Sequence, residues 1–425
     1  MIIRGGAVVT ARRVGQADVA IAGGQITAVG PNLPDDGVEI DARGLHVFPG
    51  GIDSHVHFNE PGRTSWETIA DGSAALAAGG YTCFVDMPLN SVPVTIDGAA
   101  FALKLESAAR LSAVDFGLWG GLVPGNADRL AELAQRGVMG FKAFMCPSGI
   151  DEFPACDAAT LREGMARIAE LRSIVLVHAE DPSRLVPPSG TTAREFIWSR
   201  PADAELEAIS QAIELAGGTG CPLHVVHVST ARGAELISEA RERGVDVSGE
   251  TCPHYLLYAE DDMERMGGIA KCAPPFRTAI DRERLTWMLR EGRLPMVVSD
   301  HSPSTLDLKQ DEDFFKVWGG ISGCQTTRQL LLANTDLELT VVAAVTATNV
   351  ARRFGLAAKG DIAPGFDADL WIADLRHEDV VRREDLLYRN AFSAHEGQRI
   401  RGRTVKTLVR GGEPGSGMFI RPAAR

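Results

Sequence analysis

The stretch Phe48-Pro49-Gly50-Gly51-Ile52-Asp53-Ser54-His55-Val56-His57-Phe58 is an apolar run that closes on two histidines. In an extended strand, residues i and i+2 lie on one side about 6.6 Å apart, so the two imidazoles can converge on one metal ion. A surface or cross-strand histidine pair is the competing reading of the same spacing. What decides between them is what else the chain brings to that strand end.

Seven further runs repeat the rhythm, at residues 81–88, 116–124, 138–145, 174–180, 223–229, 245–250 and 295–301. Nearly continuous apolar runs separated by longer amphipathic stretches are the pattern of parallel strands, buried on both faces, alternating with helices. Eight such units predict an α/β fold, a (β/α)8 TIM-like barrel over residues 50–364. One intervening helix is predicted over 204–216, with Leu206, Ile209, Ala212, Ile213 and Ala216 on one face and Gly217-Gly218 ending it. Another is predicted over 231–243, capped by Ser229 or Thr230 and stopped by Gly244. Short strand-like pieces at 18–21 and 26–29 precede the barrel, and others at 368–372 and 405–409 follow Pro364-Gly365. Paired, they predict a small β-sandwich domain formed by residues 1–49 with 365–425.

Composition narrows the class. The 425 residues are 45% apolar with a net charge of -13, and their mean hydropathy is -0.02, the balance of a globular protein. No basic block invites nucleic acid or an anionic membrane, no apolar stretch has the length of a span, and the N-terminus lacks the features of a signal peptide. A cytoplasmic location is expected. The seven cysteines are scattered without a Cys-x-x-Cys, which predicts buried thiols rather than disulfides or a thiolate zinc site.

A barrel gathers the C-terminal ends of its strands on one active face. There the runs deliver His55 and His57, Lys142, His178, His227 and Asp300. Four imidazoles and a carboxylate suit zinc, and also manganese, iron or cobalt. Each residue alone also reads as a hydrogen-bonded core group. Lys142 is the odd member, because an ammonium repels a cation. A neutral amine could add carbon dioxide and become a carbamate whose two oxygens bridge two metals, whereas a lysine snorkelling to solvent is the plainer use.

With these segments the chain resembles the cyclic amidohydrolases of the dihydroorotase and hydantoinase group, and within it most closely the allantoinase family. The resemblance is carried by residues 55–67, 86–91, 140–145, 177–180, 224–229, 250–255, 271–275, 299–303 and 318–323. It implies two divalent ions, most often zinc, with His55, His57 and Asp300 on one, His178 and His227 on the other, and carboxylated Lys142 bridging both. His224, on the opposite side of its strand, is excluded. A hydroxide between the ions would attack, and Asp300 would carry its proton to the leaving ring nitrogen. The implied activity is the opening of allantoin's hydantoin ring to allantoate, with another cyclic ureide or a non-catalytic scaffold as rivals. A homodimer or homotetramer is the implied assembly.

Specificity rests on smaller differences. Dihydroorotases place an arginine where this chain has Asn59, and hydantoinases a tyrosine where it has Pro147. The stretch Cys146-Pro147-Ser148-Gly149 also departs from the small polar residues of allantoinases. Asn59, Asn90, Ser302, Gly320 and Ser322 are the expected substrate contacts, amides and main chain matching the alternating N–H and C=O groups of a ureide. Arg63 is expected to form a salt bridge on its loop.

Overall fold

The structure is a computed structural model that describes residues 1–34 and 37–423. The chain opens with five strands, β1 (Ile2–Val9), β2 (Val14–Ala22), β3 (Gln25–Gly30), β4 (Glu39–Asp41) and β5 (His46–Pro49). The barrel strands follow: β6 (Gly51–Val56), β7 (Tyr81–Asp86), β8 (Asp115–Leu118), β9 (Gly120–Gly121), β10 (Phe141–Phe144), β11 (Val175–His178), β12 (Leu223–Val225), β13 (Val247–Thr251) and β14 (Met296–Val297). Two long strands, β15 (Leu370–Val380) and β16 (Arg399–Leu408), complete the set.

All eight apolar runs become strand positions. The short β8 and β9 share the third position, interrupted at Trp119, whose indole N–H donates to the Ser54 carbonyl at 2.9 Å. Neighbours pair in parallel throughout, and the ring closes where Val56 bridges His301 and the His57 amide donates to the His301 carbonyl at 2.8 Å. Every residue of these strands is buried, which is why the runs lack a polar alternation.

The expected helices form, with one different end. Ala231–Glu242 is capped by the Thr230 hydroxyl, which accepts from the Gly233 amide, and its chain turns away at Gly244. The other helix runs Ala202–Thr219, straight through Gly217-Gly218, and stops at Gly220 in the left-handed region at φ 69°. Glycine lowers helix propensity without forbidding helix, and the buried face through Leu215 and Ala216 carries the element one turn further than the sequence suggests. Glu205 is buried on this face, accepting from the Ser229 amide and hydroxyl at 2.7 Å each.

The terminal strands join as one hydrogen-bonded sheet, ordered β16-β15-β5-β1-β2-β3 with β4 also on β1. Its inward residues, among them Ile3, Val19, Val47, Leu370, Ile372 and Leu408, form a core of their own. Arg328 ties this sheet to the barrel, donating to the Pro49 and Gly80 carbonyls at 3.1 and 3.0 Å with its guanidinium 4.4 Å above the Trp371 ring. The final stretch departs from the expected 365–425 grouping. Phe116 donates to the Met418 carbonyl and Ile420 to that of Phe116, at 3.0 and 2.8 Å, so the tail pairs with barrel strand β8 instead of the terminal sheet. Apolar Phe419, packed 5.7 Å from the Phe116 ring, anchors it there. The seven cysteines are buried. Among the described residues, no helix is long and apolar enough to cross a membrane.

Candidate metal centre and substrate pocket

The C-terminal ends of the barrel strands bring the six expected ligands to one cavity of about 440 Å³. His55 Nε2 and His57 Nε2 lie 3.1 and 3.4 Å from Asp300 Oδ1. Beside them, His178 Nδ1 and His227 Nε2 face each other at 2.9 Å. Ligand nitrogens sharing a tetrahedral zinc sit roughly 3.3 Å apart, so both groups match a metal with little rearrangement. His227 and Asp300 hold left-handed backbones, φ 38° and 47°, unusual for these residues and met here where the strand ends turn into loops.

Protonation favours ligation. Burial pushes His55 and His227 well below the ordinary imidazole value and lowers His178 as well, which keeps the rings neutral. Burial also lowers the Lys142 ammonium to about 7. Its Nζ is fully buried, 4.9 Å from the Phe144 ring centroid, and has no hydrogen-bond partner in the protein. An orphaned amine among four imidazoles and a carboxylate is unstable packing for a plain lysine and a good fit for a modified, metal-bridging one.

A second layer holds the rings. His55 Nδ1 meets Glu250 Oε1 at 2.5 Å, and the other Glu250 oxygen meets His224 Nε2 at 3.0 Å. His224 thus supports the ligand set without joining it. His178 Nε2 meets Glu180 at 2.7 Å, and Arg200 grips that same carboxylate through Nε and Nη2. Burial raises Glu250 to about 8; the same burial would raise Glu180, but Arg200 and His178 overturn it and hold Glu180 below the usual carboxylate range. Each such carboxylate fixes a tautomer and leaves the opposite ring nitrogen to face the metal.

The substrate contacts divide. Asn90, at φ 74°, Ser302 and Gly320 line the cavity with the ligands. Gly320 has to be glycine, since at φ 137° a Cβ would sit 2.5 Å from the Ser302 carbonyl oxygen. Asn59 and Ser322 do not line it. Asn59 is fully buried, its amide turned back onto the His57 carbonyl at 3.3 Å, and the Ser322 carbonyl accepts from Ser393. Both follow strand or bridge residues closely, and the local turns aim them into the body of the protein. Arg63 stacks 5.1 Å over Trp66 in place of the expected salt bridge.

Pro147, Ser148 and Gly149 also line the cavity, as do Phe196, Arg200, Lys271 and the irregular segment Phe315 to Gly320. Arg200, Glu180 and Glu250 escaped the sequence reading. Glu180 and Glu250 stand at the ends of apolar runs, a signal equal to that of Lys142, whereas nothing local marks Arg200.

Comparison with known proteins accords with this geometry. Residues 46–414 match the model of the amidohydrolase family, and the chain belongs to that family. An allantoinase of Rubrobacter xylanophilus is 51% identical over 99% of this chain and 97% of that protein. One from Solibacter usitatus is 49% identical over 96% and 92%. Among solved structures, an L-hydantoinase (dihydropyrimidinase) from Arthrobacter aurescens superposes with a TM-score of 0.95 at 32% identity, over 99% of each chain.

Proposed function

We propose that this protein opens the hydantoin ring of allantoin with water to give allantoate. The convergence of His55, His57, Lys142, His178, His227 and Asp300 in one cavity supports the chemistry. Identity of 51% with an allantoinase, along nearly the whole chain, supports the substrate.

Two divalent ions, zinc by donor set, would be held by His55, His57 and Asp300 and by His178 and His227, with Lys142 between as a carbamate. Carbamate formation joins the neutral lysine nitrogen to the carbon of carbon dioxide and releases one proton. Bound metal supplies the Lewis acidity that ionises water and polarises the ring carbonyl. Asp300, its side chain 14% exposed to the cavity, takes the proton from the attacking water and returns it to the departing ring nitrogen. Asn90 and the backbone at Gly320 face the ureide. Pro147 lines the cavity and offers no side-chain donor, so the tyrosine-assisted oxyanion contact of hydantoinases has no counterpart at that position.

Zinc- or cobalt-loaded protein in bicarbonate, assayed side by side on allantoin, dihydroorotate, hydantoin and dihydrouracil, tests the reading. Preference for allantoin is expected; turnover of another ring alone reassigns the substrate and keeps the metal chemistry. Asp300→Asn is expected to abolish turnover, and retained activity removes Asp300 from the proton path. We further infer a cytoplasmic homodimer or homotetramer, which light scattering of the purified protein tests for the assembly.

A further inference from the structure

The cavity has a roof with no secondary structure of its own, the segment 314–320, and two buried lysines lie against it. Lys271, 6% exposed, donates through Nζ to the carbonyls of Phe314, Phe315 and Val317 at 2.7, 2.9 and 2.6 Å. Lys309, 5% exposed, donates to those of Trp318 and Gly320 at 2.8 and 2.5 Å. Five of seven successive carbonyls are therefore held by two lysine Nζ groups. Irregular backbone at a buried site needs partners for its polar groups, and only a lysine offers three donors from a single point.

We propose that Lys271 and Lys309 are positioning residues for the substrate pocket, fixing the roof by its carbonyls and so setting the shape of the wall that meets the ureide. Lys271 also sits 4.8 Å from the Phe196 ring, on the helix Ala193–Ser199 that delivers Arg200 to Glu180. The roof and the His178 side of the metal centre thus share one support. At the roof's free face stands Gly319, where an added Cβ meets nothing within 4 Å. On the far rim Trp318 meets Trp66 edge to face at 4.9 Å, closing the roof onto the loop after β6, the first barrel strand.

The inference rests on the ureide reading for its kinetic arm and on the geometry alone for its exchange arm. In metal-loaded protein, Lys271→Met and Lys309→Met are expected to speed amide exchange over residues 310–320 by about tenfold or more while barrel-strand peptides stay protected. KM for allantoin is expected to rise about tenfold, with kcat within about threefold and metal content unchanged. Unchanged exchange in the roof, or faster exchange everywhere with a lower Tm, overturns the proposal, the latter by showing a purely structural role. If wild-type protein opens no ring, the substrate reading fails and the exchange result still decides. Should the Met variants not fold, Gly319→Ala decides: a raised KM at constant Tm supports a roof that contacts substrate, and an unchanged KM on every ring overturns it.

Discussion

At the residue scale, the centre depends on keeping imidazoles neutral and aimed. Burial keeps the rings neutral, while Glu250 aims His55 and Glu180 aims His178, each from the nitrogen opposite the metal side. Glu250→Gln keeps the shape and replaces the carboxyl group with an amide, so metal affinity measured against a competing chelator is expected to fall about 10- to 100-fold. Lys142→Met removes the proposed bridging group and is expected to leave the protein folded, with bound metal falling below two per chain by elemental analysis. The six residues proposed as ligands were legible because each is a polar residue ending an apolar run. Asn59 misled because its neighbours in sequence, His55 and His57, face the cavity, and a turn of backbone separates it from them.

At the element scale, the helix Ala202–Thr219 shows how packing overrides punctuation. Gly218 lies inside it with no neighbour within 4 Å of an added Cβ, whereas Gly220 ends it at φ 69°. Opposite effects are expected from the same substitution. Gly218→Ala should raise stability by roughly 0.5–1 kcal/mol through helix propensity, and Gly220→Ala should lower it by about 1 kcal/mol through the left-handed penalty. Urea midpoints of the two variants check both signs. Sequence placed the stop at the first glycine pair because propensity is local, while the buried face that prolongs the helix comes from distant strands.

At the scale of the whole molecule, buried charge joins the parts. Lys359 reaches Asp115 of β8 at 2.7 Å, and Asp367 and Asp369, just before β15, at 3.1 and 2.6 Å. These three acids have the spacing of a metal site, but the lysine fills it. Lys359→Met removes the cation that Asp367 and Asp369 share while Arg410 stays on Asp115, and a loss of about 3 kcal/mol in denaturant unfolding is expected. Acid should act elsewhere. His395 is buried beside Tyr258, and burial lowers it to about 3 from an ordinary 6.5. The unfolded chain then binds a proton below pH 6.5 that the folded chain refuses. Stability contributed by neutral His395 is complete above pH 6.5 and is lost progressively as pH falls toward about 3. Between pH 6.5 and 5 the loss is about 2 kcal/mol, and His395→Gln should flatten the slope by that amount.

By itself the sequence determined the barrel, the two terminal half-sets of strands and the gathering of six polar residues on one face. Those features are written in periodicities of a few residues and in polar residues at the ends of apolar runs. Only the tertiary structure decided the rest: the tail on β8, the supports of Glu180 through Arg200, the retreat of Asn59 and Ser322, and the roof held by Lys271 and Lys309. Each of these joins residues far apart in the chain or turns on a single backbone dihedral, and neither leaves a local pattern. The roof shows it best, since its carbonyls carry no side-chain identity and find their partners only when the loop closes over the cavity.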